Sequence, residues 1–124
     1  MRRTIQATTI IEELDKLKHA TNAQLWERVK LRLPDVTLPS VHRTTARLAR
    51  DNTIGGSLTN HGQVILDCRP SAHSHFICAT CDKVKDLDLH QDLISHIQNQ
   101  IGDSIVPTSI VIRGSCNRCS HLAN

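Results

Sequence analysis

Two matched cysteine pairs constrain this chain more than any other feature: Cys78-x-x-Cys81 and Cys116-x-x-Cys119, separated by the 34 residues from Asp82 to Ser115. Each pair can give two thiolates to one ion, and four thiolates at about 2.3 Å with no open position describe a tetrahedral structural zinc. Two local disulfides or a thiol redox pair are the competing readings; two matched knuckles fit one closed zinc site better than either. A zinc bound here would tie the second knuckle to the first and substitute for core that the chain lacks. The lack is visible in the composition, because Trp26 and Phe76 are the only aromatic residues of 124 and there is no Tyr. So few large rings imply staples from outside, either metals or a partner subunit.

No apolar run approaches the length of a bilayer span, and the N-terminal residues lack the apolar stretch and small-residue cleavage site of a secretory signal. The expected compartment is therefore the cytoplasm, with no membrane partner. In that reducing setting the five cysteines serve as metal ligands or reactive thiols. The net charge of +3 is too small to identify a nucleic-acid partner, so the position of the charge has to decide.

Along the chain, Ile10, Leu14 and Leu17, with Ile11 alongside, mark one face of a helix over residues 5–18. Asn22 is expected to cap a second helix, with Leu25, Trp26, Val29 and Leu33 as its buried stripe before Pro34-Asp35 stops it. Thr37 caps a third, with Pro39 in its first turn and Val41, Thr45, Leu48 and Ala49 facing inward. Arg43, Arg47 and Arg50 then share the opposite side. Alone, such a run is a solvated face. Here it is followed by two short strands, Ile54–Thr59 and Gln63–Asp67, joined by the turn Asn60-His61-Gly62. Three helices followed by a two-stranded wing is the order of a winged helix-turn-helix, whose last helix enters the major groove. That order makes Arg43, Arg47 and Arg50 the face for double-stranded DNA.

The expected organisation is α+β: a winged helix-turn-helix DNA-binding domain over residues 1–67, a hinge at 68–72, and a small α/β dimerisation domain over 73–124 that carries the four-cysteine site. In the second domain, Phe76-Ile77 and Val84–Leu87 read as strands. Leu89, Leu93, Ile94, Ile97 and Ile101 mark a helix, and Ile105–Ile112 returns as a strand with Pro107 near its start. The apolar surface of that helix and edge strand is more than so short a chain can cover, which predicts a symmetric homodimer reading a palindromic operator.

His73-Ser74-His75 lies just before the first knuckle, with Asp67 upstream and Asp86 downstream. Extended backbone puts residues i and i+2 on one face, so His73 and His75 can point at one ion; by itself the pair also reads as two surface histidines. The whole run from His73 through Cys78, Cys81 and Asp86, with Cys116-x-x-Cys119 behind it and Ser40-Val-His42-Arg43-Thr in front, resembles the ferric uptake regulator (Fur) family from about residue 5 to Cys119.

The resemblance implies a second metal site, between the domains, that locks the dimer in its DNA-binding shape. The peroxide-sensing branch uses three histidines and two aspartates, and His19, Asp67, His73, His75 and Asp86 occupy the matching positions. Three imidazoles and two carboxylates make a borderline-to-hard donor set, suited to Fe(II) or Mn(II) as well as Zn(II). With iron bound, the resemblance implies that peroxide oxidises His19 or His73 and releases the DNA. It also adds Ser40 and His42 to the DNA-facing residues, although His42 stands where members usually carry Tyr, so thymine contacts through that ring do not carry over. The helix that members usually carry ahead of residue 5 has no counterpart here, Asp82 replaces the usual Gly after the second knuckle cysteine, and Ala72 and Ser74 lie where iron-uptake members often have further ligands.

Cys68 keeps a zinc-sensing alternative open. Zinc-uptake members draw a cysteine ligand from this hinge, and a thiolate in place of Asp67 would favour zinc; the plainer reading is a small core or hinge residue. A zinc or iron uptake regulator is thus the second reading within the family, and a zinc-ribbon interaction module that does not switch is the rival from another class. A hydrolytic zinc enzyme is set aside because no Glu stands near the His73/His75 pair to act as base.

Overall fold

The computed structural model describes residues 3–71, 73–105 and 110–122, and the chain divides into two units, Met1–Ser71 and Ala72–Asn124. The first holds α1 (Ile5–Leu17), β1 (His19–Ala20), α2 (Asn22–Val29), α3 (Leu38–Arg50), β2 (Gly55–Asn60) and β3 (Gln63–Asp67). Each of its helices starts on a threonine whose hydroxyl takes an otherwise unpaired N–H: Thr4 from Ala7, Thr21 from Gln24 and Thr37 from Ser40. At α2 the Gln24 side chain also accepts the Thr21 N–H at 2.9 Å, completing a capping box. Thr21, not Asn22, is therefore the cap. Asn22 is used elsewhere, its Oδ1 accepting the buried Thr45 hydroxyl of α3 at 2.6 Å.

The second helix is shorter than its apolar stripe suggests. It ends at Val29, and residues 31–33 continue in tight turns, with the Leu33 N–H donating to Val29 O at 2.8 Å. A residue before proline is pushed out of helical geometry, and Leu33 precedes Pro34. Its side chain still packs on the core built from Ile10, Leu14, Leu25, Val29, Val41 and Leu48. The hairpin of β2 and β3 turns at His61 and Gly62, both with positive φ (51° and 75°), as the tightest hairpin turns require. β1 adds a third antiparallel strand beside β3, giving the order β1-β3-β2.

One buried charge of this unit lies among cations. Glu13 of α1 is 3% exposed, and its carboxylate meets Lys16 at 3.0 Å, Arg32 at 3.1 Å and Arg28 at 3.3 Å. The Lys16 ammonium, then the Arg32 guanidinium, hold it below its ordinary value of 4.5 against the opposing effect of burial. A carboxylate depressed in the folded state adds stability that is fully present above the unfolded value and is lost as pH falls through the folded one. Glu13→Gln should cost about 1–2 kcal/mol at neutral pH, modest because its cations are half solvated. The variant's deficit should shrink as pH is lowered beneath 4.5; a deficit independent of pH in denaturant melts would reject an ionic role.

The second unit holds β4 (Ser74–Cys78), β5 (Val84–Leu87), α4 (Gln91–Ile101), β6 (Val111–Gly114) and α5 (Asn117–Leu122). β4 is central, antiparallel to β5 and parallel to β6. Of the strand expected over Ile105–Ile112, Ile105 and Ile110 lie outside any strand, and the strand runs from Val111 on to Gly114; residues 106–109, Pro107 among them, lie outside the described residues. α4 begins at Gln91, leaving Leu89 ahead of it, with the His90 side chain accepting the Asp92 N–H. It closes on Gly102 in the left-handed conformation (φ 82°) that glycine adopts without strain. Of its apolar face only Ile94 is buried, while Leu93 and Ile101 are 44% and 54% exposed and Val111 and Ile112 of β6 are exposed as well.

Candidate metal centres

The parallel pairing of β4 with β6 brings the two cysteine pairs together. Register sets Cys78 beside Gly114, so the turn after β4 and the segment after β6 leave the sheet at the same end. Gly114 has no side chain because the Phe76 ring fills that space, 3.3 Å from where a Cβ would be. In the first turn the Asp82 N–H donates to Cys78 O at 3.0 Å, and Asp82 takes the left-handed conformation (φ 64°) that Asp tolerates better than most residues. In the second, α5 begins directly after Cys116 and carries Cys119 one turn on, with the Ser120 N–H bonded to Cys116 O at 2.8 Å.

The four sulfurs lie within 4.8 Å of one another, and Cys81 Sγ is 3.7 Å from Cys116 Sγ. Zinc–sulfur bonds of about 2.3 Å in a tetrahedron give sulfur–sulfur edges of about 3.8 Å, whereas a disulfide needs about 2.05 Å. All four cysteines are free thiols in a metal-sized cage, which disfavours the disulfide reading. Their electrostatics agree. The N–H groups of Cys116, then Cys81, hold the Cys78 thiol down to about 6, and the Cys119 N–H lowers Cys116. Cys119, facing the Cys116 sulfur, is pushed up to about 12. The Cys116 sulfur thus opposes ionisation at Cys119, a conflict that a divalent ion would remove.

The His/Asp donors fall into two groups, one on each unit. In the first unit, β1–β3 pairing sets His19 directly opposite Asp67, with His19 Nε2 3.2 Å from Asp67 Oδ2. The other carboxylate oxygen, Oδ1, accepts the Arg69 N–H at 2.9 Å. In the second unit, β4–β5 pairing sets His75 opposite Asp86, and His73 lies two residues before His75 on the same face, the two ring centroids 4.3 Å apart. Asp86 Oδ1 is 2.7 Å from His73 Nε2 and 3.6 Å from His75 Nε2. Bonds of about 2.1 Å place neighbouring nitrogen and oxygen ligands roughly 3.0–3.4 Å apart; the His19–Asp67 pair has that spacing, while Asp86 sits at hydrogen-bond distance from His73 and slightly beyond the range from His75. Cys68 is half-buried and packs against the helical core of the first unit, as a small core residue does.

On α3, the exposed side carries His42, Arg43 and Arg50, with Arg47 half-buried between them. Ser40 is held from behind: the Gln6 amide donates to its hydroxyl at 2.7 Å and to the Thr44 hydroxyl at 2.9 Å. Neither Gln6 nor Arg69 stands out from sequence. Arg69 has a readable signal, since an Asp two residues before a turn N–H is a common side-chain-to-backbone pattern. Gln6 has none.

A pattern describing the ferric uptake regulator family matches residues 1–108. The chain belongs to that family. Fur-family proteins are transcription regulators rather than enzymes, and this chain is one of them. No curated protein sequence matches significantly, but solved structures do. The chain is similar to an iron-bound ferric uptake regulator from Francisella tularensis, at 20% identity and a TM-score of 0.76, over 97% of this chain and 95% of that one. It is also similar to a zinc-bound manganese uptake regulator, at 21% identity and a TM-score of 0.76, over 94% and 91%. A zinc uptake regulator in complex with zinc and DNA matches at 18% identity and a TM-score of 0.66, over 99% and 86%. At these identities the likeness establishes the fold. Among the described residues no helix is long and apolar enough to cross a membrane.

Proposed function

We propose that this Fur-family chain is a metal-dependent, DNA-binding repressor of the cytoplasm whose regulatory ion is held jointly by its two units. The observation that carries the reading is the division of donors: His19 and Asp67 on one unit, His73, His75 and Asp86 on the other. Neither group alone completes a coordination sphere for Fe(II), Mn(II) or Zn(II). An ion that takes both is bound fully only in the conformation that unites them, and it shifts the population toward that conformation by its differential affinity. In this reading the first unit is a winged helix-turn-helix that sets α3 in the major groove, with Arg43, Arg47 and Arg50 on phosphates and Ser40 and His42 nearby. The second unit is the dimerisation domain, stapled by zinc at Cys78, Cys81, Cys116 and Cys119. The exposed apolar residues of α4 and β6 are the surface available to a second copy.

Within the family, the peroxide-sensing reading is favoured by the chemistry of the donors. All five are nitrogen or oxygen, and Cys68 packs toward the helical core, which speaks against a thiolate in place of Asp67. Iron, when bound, supplies the reaction with peroxide; the chain supplies His19 and His73 as the groups to be oxidised. The test loads zinc-replete protein with Fe(II) without oxygen, adds a small excess of peroxide and maps added oxygen by peptide mass, with Mn(II) as control. One oxygen on the His19 or His73 peptide, with iron only, is expected. Oxidation confined to Cys68 or Met1 would instead favour a reversible zinc or iron uptake regulator. DNA binding indifferent to the second metal would favour a zinc-ribbon interaction module that does not switch.

A further inference from the structure

Gly55 opens β2 and pairs with Asp67 at the end of β3, and a register irregularity follows between Gly55 and Leu58. A Cβ on Gly55 would lie 2.7 Å from the backbone oxygen of Arg69 and 3.1 Å from Asp67 Cβ. The nearer atom belongs to backbone, so it cannot rotate away; the segment carrying Asp67 and Arg69 would have to shift. That segment is pinned at two further points. The Cys68 N–H donates to Lys18 O at 3.0 Å, and the Arg69 N–H holds Asp67 Oδ1 at 2.9 Å. The second bond leaves Oδ2 turned to His19 Nε2, at 3.2 Å.

We infer that Gly55 is a positioning residue for the Asp67 carboxylate, the proposed ligand of the regulatory metal. The absence of a side chain at residue 55 lets the chain fold back closely enough for Arg69 to take up Oδ1. Metal geometry falls steeply with ligand displacement, and a shift of about 1 Å in one carboxylate is enough to lose it. The inference rests on the proposal that Asp67 is a metal ligand.

The test titrates Mn(II) into zinc-saturated full-length protein and follows the free ion by electron paramagnetic resonance, with a thermal melt of each variant. Gly55→Ala should weaken Mn(II) binding at least tenfold. Gly56→Ala is the control, because its Cβ would meet the Ala49 side chain of α3 at 3.0 Å rather than the Asp67 segment; it should lower the melting temperature and leave Mn(II) affinity within about twofold. Asp67→Asn should weaken binding strongly, and adding Gly55→Ala to it should change nothing more. Wild-type affinity in Gly55→Ala, or an equal loss in Gly56→Ala, overturns the positioning role while Asp67→Asn still supports the ligand. Wild-type affinity in Asp67→Asn overturns the ligand itself. Should Gly55→Ala fail to fold, Arg69→Pro removes the amide that holds Oδ1; a tenfold loss of affinity there supports the cradle, and unchanged affinity rejects it.

Discussion

Cys116→Ser is expected to leave the first unit folded and to abolish the cooperative melting of the second, together with its bound zinc. Cys116 is buried, its N–H donates to Cys78 Sγ at 3.4 Å, and its sulfur is 3.7 Å from Cys81. Around it the buried apolar cluster consists of Cys78, Cys116 and Cys119 themselves, with Phe76 packed alongside. Where thiolates make up a buried cluster, losing the ion removes what hydrophobic burial would otherwise supply there, and serine is a poor substitute for a thiolate on zinc. Metal analysis should give less than one zinc per chain, and circular dichroism should lose the signal of α4 and α5. A variant that keeps one zinc per chain and melts like the wild type would show that the four sulfurs do not act as one site.

The second large effect is expected at His75. His75→Ala should weaken Mn(II) binding by about a hundredfold and remove the metal dependence of DNA binding, which typical coupling free energies place at roughly 5–150-fold. The argument is local: register sets His75 opposite Asp86, and removing the imidazole leaves His73 and Asp86 as an incomplete pair. Fluorescence anisotropy with a selected operator, at several Mn(II) concentrations, measures both quantities. Arg47→Ala separates the two layers of the mechanism. It should leave Mn(II) affinity alone and flatten the salt dependence of DNA binding by about one unit, the share of a single phosphate contact. If His75→Ala still responds to Mn(II) as the wild type does, the ion is not held by the β4–β5 face.

What the sequence makes readable is what local chemistry decides. Thr37 and Pro39 start α3 as expected, Val41, Thr45 and Leu48 turn inward, and the left-handed pair His61-Gly62 makes the hairpin turn. The four-cysteine site is readable because four thiolates at that spacing have few other uses. What escapes is set by distant pairing. β1 is two residues long and exists only because β3 lies beside it, so no periodicity announces the strand that places His19 opposite Asp67. α5 is built over a metal knuckle, and the alignment of Cys78 with Gly114 is a long-range register that no window of sequence contains. The cap of α2 differs from expectation by one residue because Asn22 and Thr21 are both good caps, and the contact with Thr45 decides which of them is spent elsewhere.

The parallel pairing of β4 with β6 also fixes an order of assembly. Antiparallel neighbours such as β2 and β3 meet across a two-residue turn, whereas β4 must wait for a strand that begins 33 positions after Cys78 and for Cys119 beyond it. Closing so long a loop is slow compared with closing a hairpin. While the chain is being made, the first unit can complete its core from residues already present, and the second remains open until its last thiolate arrives. A newly made molecule would therefore pass through a period in which the half proposed to face DNA is built and the half proposed to control it is not. With zinc at the four cysteines, the supply of that ion, acting at a site remote from α3 in the sequence, would set how long that period lasts.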